Sequence, residues 1–147
     1  MFRRAKDSPA NKTPAIADTG YLVALVRGED EHHEWATALA AEFELPLLTC
    51  EAVLAETAFH LQSNTYVLTM LKRGALRIAF DCSSNLNQLL DLSTRYADRR
   101  PDLADLCLIR MSEVYPHHPV ITVDESDFRV YRRNKREVIP LICPPKK

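Results

Sequence analysis

Five short apolar runs punctuate this chain, and segments with helical periodicity fill the intervals between them. The runs are Ala15-Ile16-Ala17, Leu45-Pro46-Leu47-Leu48-Thr49, residues 76–80, Val120-Ile121-Thr122-Val123 and residues 138–142. Such runs, alternating with helices, build a mainly parallel sheet covered on both faces. A length of 147 residues suits one α/β domain and is too short for two ordinary ones. The expected organisation is a loose polar tail over 1–14, which contains Pro9 and Pro14, and a single domain over 15–147.

The helices follow from periodicity and punctuation. One is expected over 21–26, capped by Thr19 and closed by Gly28. A second is expected over 31–43, with Trp35, Leu39 and Phe43 on one face. Others are expected over 50–62, over 65–72 with a stop near Gly74, and over 86–96. The last starts with Pro101 in its first turn and runs through Asp105 to about 114.

Composition narrows the function classes. Hydrophobic residues make up 46% and charged residues 27%, as in a folded globular protein. The net charge of −1 advertises no bulk attraction to nucleic acid. Cys50, Cys82, Cys107 and Cys143 form no CxxC pair and read as reduced thiols, mostly small core residues. His32-His33 and His117-His118 are adjacent pairs that point in different directions, so a zinc site is not expected. No apolar run approaches membrane length, and the amino terminus lacks an apolar signal region; a cytoplasmic protein is expected.

In parallel α/β sheets ligands bind beyond the carboxyl ends of the strands. Asp18 and Asp124 each directly follow an apolar strand, so both should emerge at that edge. Aspartate there can simply cap the next helix. Glu51 and Asp102 fit helix first turns, where an acid complements the dipole. Asp102 and Asp105, at i and i+3, share a helix face. Glu56 and Asp105 lie within apolar segments, Val53-Leu54-Ala55-Glu56-Thr57-Ala58-Phe59 and Leu103-Ala104-Asp105-Leu106-Cys107-Leu108. Acids so placed are partly buried and need a partner, and no basic residue is close in sequence. A hard divalent cation ringed by carboxylates is one solution.

Four segments in order carry a family resemblance: Ile16-Ala17-Asp18-Thr19-Gly20-Tyr21-Leu22-Val23-Ala24-Leu25, Ala52-Val53-Leu54-Ala55-Glu56, Asp102-Leu103-Ala104-Asp105 and Thr122-Val123-Asp124-Glu125-Ser126-Asp127-Phe128. Together they resemble the PIN-domain family and, within it, the VapC-like toxins of bacterial toxin–antitoxin pairs. The match spans residues 16–142. It implies a Rossmann-like PIN fold and an endoribonuclease dependent on Mg²⁺ or Mn²⁺. It implies Asp18, Glu56, Asp105 and Asp124 as the catalytic, metal-binding quartet, with Asp102 and Asp127 as auxiliary acids. Thr19 would then help to position metal-bound water. The implied partners are RNA, a second copy in a homodimer, and a cognate antitoxin that lays a basic side chain into the acidic pocket. Two features depart from the family pattern: Leu106 stands where a small alanine is more common, and the stretch before Ile16 is long.

The basic stretch Arg129, Arg132, Arg133, Lys135 and Arg136 begins two residues after Asp127. Arg129, Arg132 and Arg133 are therefore expected to hold RNA phosphates, against the plainer reading of a solvated edge leading into the last strand. Asp18-Thr19-Gly20 is also the triplet of aspartic proteases, but those are all-β proteins. Phosphatases of the haloacid dehalogenase kind need a second aspartate where Gly20 stands. The remaining alternative is an inactive PIN domain serving as an RNA- or protein-binding module; all four acidic positions are filled, which argues against it.

Overall fold

The computed structural model describes residues 12–146. The expected tail over 1–14 therefore lies mostly outside the described residues; within them, Thr13 forms a bridge to Phe43. The elements run β1 (Ile16–Ala17), α1 (Thr19–Val26), α2 (His33–Ala40), β2 (Leu47–Thr49), α3 (Glu51–Leu61), α4 (Thr65–Lys72) and β3 (Leu76–Ile78). After a 3₁₀ turn over Cys82–Asn85 come α5 (Leu86–Arg95), a second 3₁₀ turn over Ala97–Arg99, α6 (Leu103–Val114), β4 (Val120–Ile121), α7 (Glu125–Phe128), β5 (Arg132–Arg133), β6 (Glu137–Val138) and β7 (Leu141–Ile142).

Five strands form one parallel sheet in the order β3-β2-β1-β4-β7. This is the PIN-like, mainly parallel α/β architecture expected from the sequence. β1 is central, and the order reverses between β1 and β4, which makes that gap the switch point where such sheets bind ligands. The inner strands are buried on both faces: Ile16, Ala17, Val120 and Ile121 have no solvent exposure. That is why they read as continuous apolar runs rather than alternating ones.

Four local expectations are corrected. Asp18, not Thr19, caps α1: its backbone is extended and its carboxylate accepts the Thr19 N–H at 2.7 Å. Pro101 lies outside α6, because the Asp102 carboxylate accepts the Asp105 N–H at 2.8 Å and so makes Asp102 the cap. The helix expected over 31–43 shortens to His33–Ala40, since the Asp30 carboxylate accepts the His32 N–H and holds the preceding residues in a turn. The strand expected over 138–142 divides: Val138 pairs antiparallel with Arg132, and only Leu141 and Ile142 join the main sheet. Pro140 separates the two, having no N–H to give a ladder, while its carbonyl accepts from Val120.

The core closes around aromatic edges. Tyr21 of α1 meets Trp35 and Phe43 edge to face at 5.8 and 6.0 Å, which seats the expected apolar face of α2. Tyr131 meets Phe128 and Tyr96 at 5.3 and 5.1 Å and ties the chain after α7 to the end of α5. Cys50 and Cys107 are buried, Cys82 and Cys143 are half-buried, and all four are free thiols.

Gly20 shows how tightly the switch point is packed. A Cβ at this position would lie 2.2 Å from Val123 Cγ2, on the short link that carries Asp124. Gly20→Ala must push that branched side chain aside, and overpacking of this sort costs about 1–3 kcal/mol. A lowered denaturant midpoint at unchanged slope is the expected result; an unchanged midpoint would show that the Val123 link yields freely.

Candidate metal centre

Asp18 leaves the end of β1 and Asp124 follows β4, the neighbouring strand across the switch point. One hydroxyl joins them. Thr122 Oγ1 donates to Asp18 Oδ2 at 2.7 Å and accepts the Asp124 N–H at 2.9 Å. Asp18 is 7% exposed, and its other oxygen is bound by the N–H of Thr19, so both oxygens are held in fixed directions. Burial nevertheless dominates its titration. It lifts the carboxyl to about 6, the nearby charges of Asp124 and Asp102 add to the rise, and the two hydrogen bonds oppose it.

Glu56 reaches the same cleft from α3. Thr19 Oγ1 donates to Glu56 Oε1 at 2.9 Å, so this hydroxyl positions a carboxylate directly. Burial and the facing Asp102 raise Glu56 to about 6. Asp105 projects from the first turn of α6, and Tyr131 Oη donates to its Oδ2 at 3.2 Å. Burial, then the charges of Asp102 and Asp18, push Asp105 up to about 8. Asp124 is also raised, by burial and by Asp127. The common cause is a set of carboxylates withdrawn from water and facing one another.

The cleft has a volume of about 380 Å³ and holds six acids, Asp18, Glu56, Asp102, Asp105, Asp124 and Asp127, against Arg100 and His60. All four members of the expected quartet therefore border one cavity, with Asp102, Asp127 and Thr19 beside them. The tightest grouping differs from that quartet. Carboxylate oxygens of Asp105, Asp124 and Asp127 lie within 4.8 Å of one another, so Asp127 joins Asp105 and Asp124 at the centre. Asp127 sits three residues after Asp124 on the single turn of α7, the spacing that puts two side chains on one helix face. An all-carboxylate set, without thiolate or imidazole, has the chemistry preferred by hard cations such as Mg²⁺ and Mn²⁺. Burial first, and the facing like charges after it, raise these carboxyls, and a bound cation would offset both.

The basic residues depart further from expectation. Arg133 is 8% exposed and is used inside the fold: it donates to the carbonyls of Ser112 and Pro116 at 2.7 and 3.1 Å and pairs with Glu137. It is thus not available to phosphate. Arg132 directs one guanidinium nitrogen to the carbonyls of Arg129, Val130 and Tyr131, and Arg129 pairs with Glu125 at 3.0 Å. The basic side chains that border the cleft are those of Arg100 and His60, with Arg99 held on Asp127 at 3.1 Å. None of the three is singled out by the sequence reading. The signals were present, since Arg99-Arg100 directly precedes Pro101-Asp102 and His60 lies four residues after Glu56.

No family model matches the sequence, and no curated protein does. Among solved structures the chain is similar to Mycobacterium tuberculosis VapC20, a toxin that cleaves the sarcin–ricin loop. The TM-score is 0.65 at 17% identity, over 77% of this chain and 93% of that one. At this identity the likeness is one of fold. Among the described residues no helix is long and apolar enough to cross a membrane.

The electrostatics give a signed prediction. Asp105 titrates near 8 in the fold against an ordinary 3.8, so between those values the native state binds more protons than the unfolded chain. Stability of the metal-free protein should then fall as pH rises from about 4 to about 8. Asp18 and Glu56, both near 6, add to the fall over the lower part of that window. Asp105→Asn should flatten the profile and, in chelator, be more stable than wild type at pH 8 but not at pH 4. Parallel melting curves for the two proteins across this range would contradict the assignment.

Proposed function

We propose that this chain is a divalent-metal-dependent endoribonuclease that cuts RNA phosphodiester bonds, acting as the toxin of a toxin–antitoxin pair. The observation that carries the reading is the convergence of the Asp105, Asp124 and Asp127 carboxylates within 4.8 Å at the switch point. Asp18 and Glu56 border the same cleft. The fold shared with an RNA-cleaving toxin supports the substrate class and the biological role.

In this reading Asp105, Asp124 and Asp127, with Asp18 bordering the same cleft, would hold Mg²⁺ or Mn²⁺. Such an ion supplies Lewis-acid stabilisation of charge on the phosphate and lowers the pKa of an attacking water. The protein's own groups do the rest. Thr122 fixes the Asp18 carboxylate, and Thr19 fixes Glu56 through Oε1. A carboxyl titrating near 6 is matched to proton transfer close to neutral pH, so Glu56 would serve as the general base for the attacking water. Arg100 and His60, at the cleft wall, bind the phosphate oxygens and orient the strand. Arg129 and Arg132, in the segment that follows α7, would add at most longer-range attraction. The family resemblance supports a homodimer and a cognate antitoxin whose basic side chain would neutralise the clustered acids in place of metal.

Purified protein incubated with total RNA should cleave in Mg²⁺ or Mn²⁺ and stop in chelator. Glu56→Gln should lower the rate by about 10²–10⁴-fold, the range for loss of a general base, while Glu51→Gln, on an exposed first turn, should not. Asp124→Asn should lose both cleavage and the rise in melting temperature that metal gives the wild type. Cleavage that survives Asp124→Asn with its metal response intact would sink the proposal.

A further inference from the structure

The residues that follow Glu56 on α3 are unusual for a helix in an α/β domain. Phe59 is 78% exposed, although a phenylalanine is normally among the first side chains to be buried. His60, next to it, is exposed, and the two rings meet edge to face at 5.7 Å. Phe59 lies three residues beyond Glu56, about 4.5 Å along the helix axis. His60 is shared between two depressions. One is the carboxylate cleft. The other is a broad open groove of about 900 Å³ lined by Ala55, Ala58, Phe59 and the polar residues Gln62, Ser63, Asn64 and Thr65. The groove thus adjoins the candidate centre, with His60 as the residue common to both.

The groove's chemistry is specific. It offers one accessible aromatic face beside amide and hydroxyl groups, with small alanines between them. α3 stops where Gln62 enters the left-handed region at φ 54°, which swings the 62–65 turn away from the helix axis to form the far wall. A flat apolar face flanked by neutral donors and acceptors fits an unstacked nucleobase.

We propose that Phe59, His60 and the 62–65 turn form a nucleobase subsite, in which a base flanking the scissile phosphate stacks on Phe59. The inference rests on the nuclease reading above and adds a preference for single-stranded RNA. Gln62 and Asn64 carry amides able to meet a base edge, and the open shape accepts more than one base. His60, between the two depressions, holds the phosphate that links the stacked nucleotide to the cleft.

The test uses the full chain with Mn²⁺ and a short single-stranded RNA cut at one position, in which single abasic residues are walked through the flanking nucleotides. Base stacking on an aromatic side chain is worth roughly a 5- to 150-fold change in binding. Phe59→Ala should raise KM within that range with little change in kcat, and Phe59→Trp should retain wild-type KM with indole fluorescence quenched on RNA addition. One abasic position should weaken binding to the wild type and leave Phe59→Ala unaffected, the pattern of two changes that delete the same contact. The subsite is overturned if wild type cleaves but every abasic position affects wild type and Phe59→Ala equally. It is also overturned if Phe59→Ala alters only the sedimentation of the protein, which would make this face a protein contact. Failure of the wild type to bind or cut any RNA would remove the nuclease reading itself, an outcome distinct from both.

Discussion

The hydrogen bond from Thr122 to Asp18 joins the two central strands where they diverge. β1 and β4 pair over only two residues each, so backbone ladders alone fix their ends loosely. The buried hydroxyl closes the gap with one proton given to Asp18 and one lone pair offered to the Asp124 backbone. The Asp18 carboxylate and the Asp124 backbone, beyond the ends of neighbouring strands, are thereby held on one hydroxyl although like charge drives the two acids apart. Burial of Asp18 would be costly without these donors, because an ionised group withdrawn from water needs its lone pairs satisfied. The rest of the cleft is built outward from this pair, with α3 and α6 each adding acids from their first turns or inner faces.

The sheet was legible because buried parallel strands are apolar throughout and because acids directly after such strands have few other places to point. Glu56 and Asp105 were legible as charges stranded in apolar segments. Asp127 was underrated because a single-turn helix leaves almost no periodic signal. Arg133 was misread because its partners, the carbonyls of Ser112 and Pro116, lie 21 and 17 residues away in sequence. Nothing local distinguishes an arginine that braces a hairpin against a helix end from one that faces solvent. The division of the last strand turned on Pro140, whose missing N–H matters only once its pairing partner is known.

Charge in the cleft is unbalanced in a way that constrains any polyanionic ligand. Six carboxylates against Arg100 and His60 repel a phosphate unless cations intervene. Arg99 is committed to Asp127, while Arg100, with φ near 50°, is turned from the helical path and borders the cavity. The likeness in fold to VapC20 persists at 17% identity because the architecture needs only apolar strands of the right length and helices to cover them. Many sequences meet that requirement.

The bond between Thr122 and Asp18 spans 104 residues of sequence. β1 is made early, yet one of its two neighbours in the sheet, β4, comes from the far end of the chain. Contacts of such long range are slow to form, since loop closure precedes any gain from pairing. A ribosome-bound nascent chain that has not yet released Asp124 and α7 has no assembled carboxylate cluster, whatever ions surround it. The topology thus delays assembly of the carboxylate cluster until almost the whole domain has emerged.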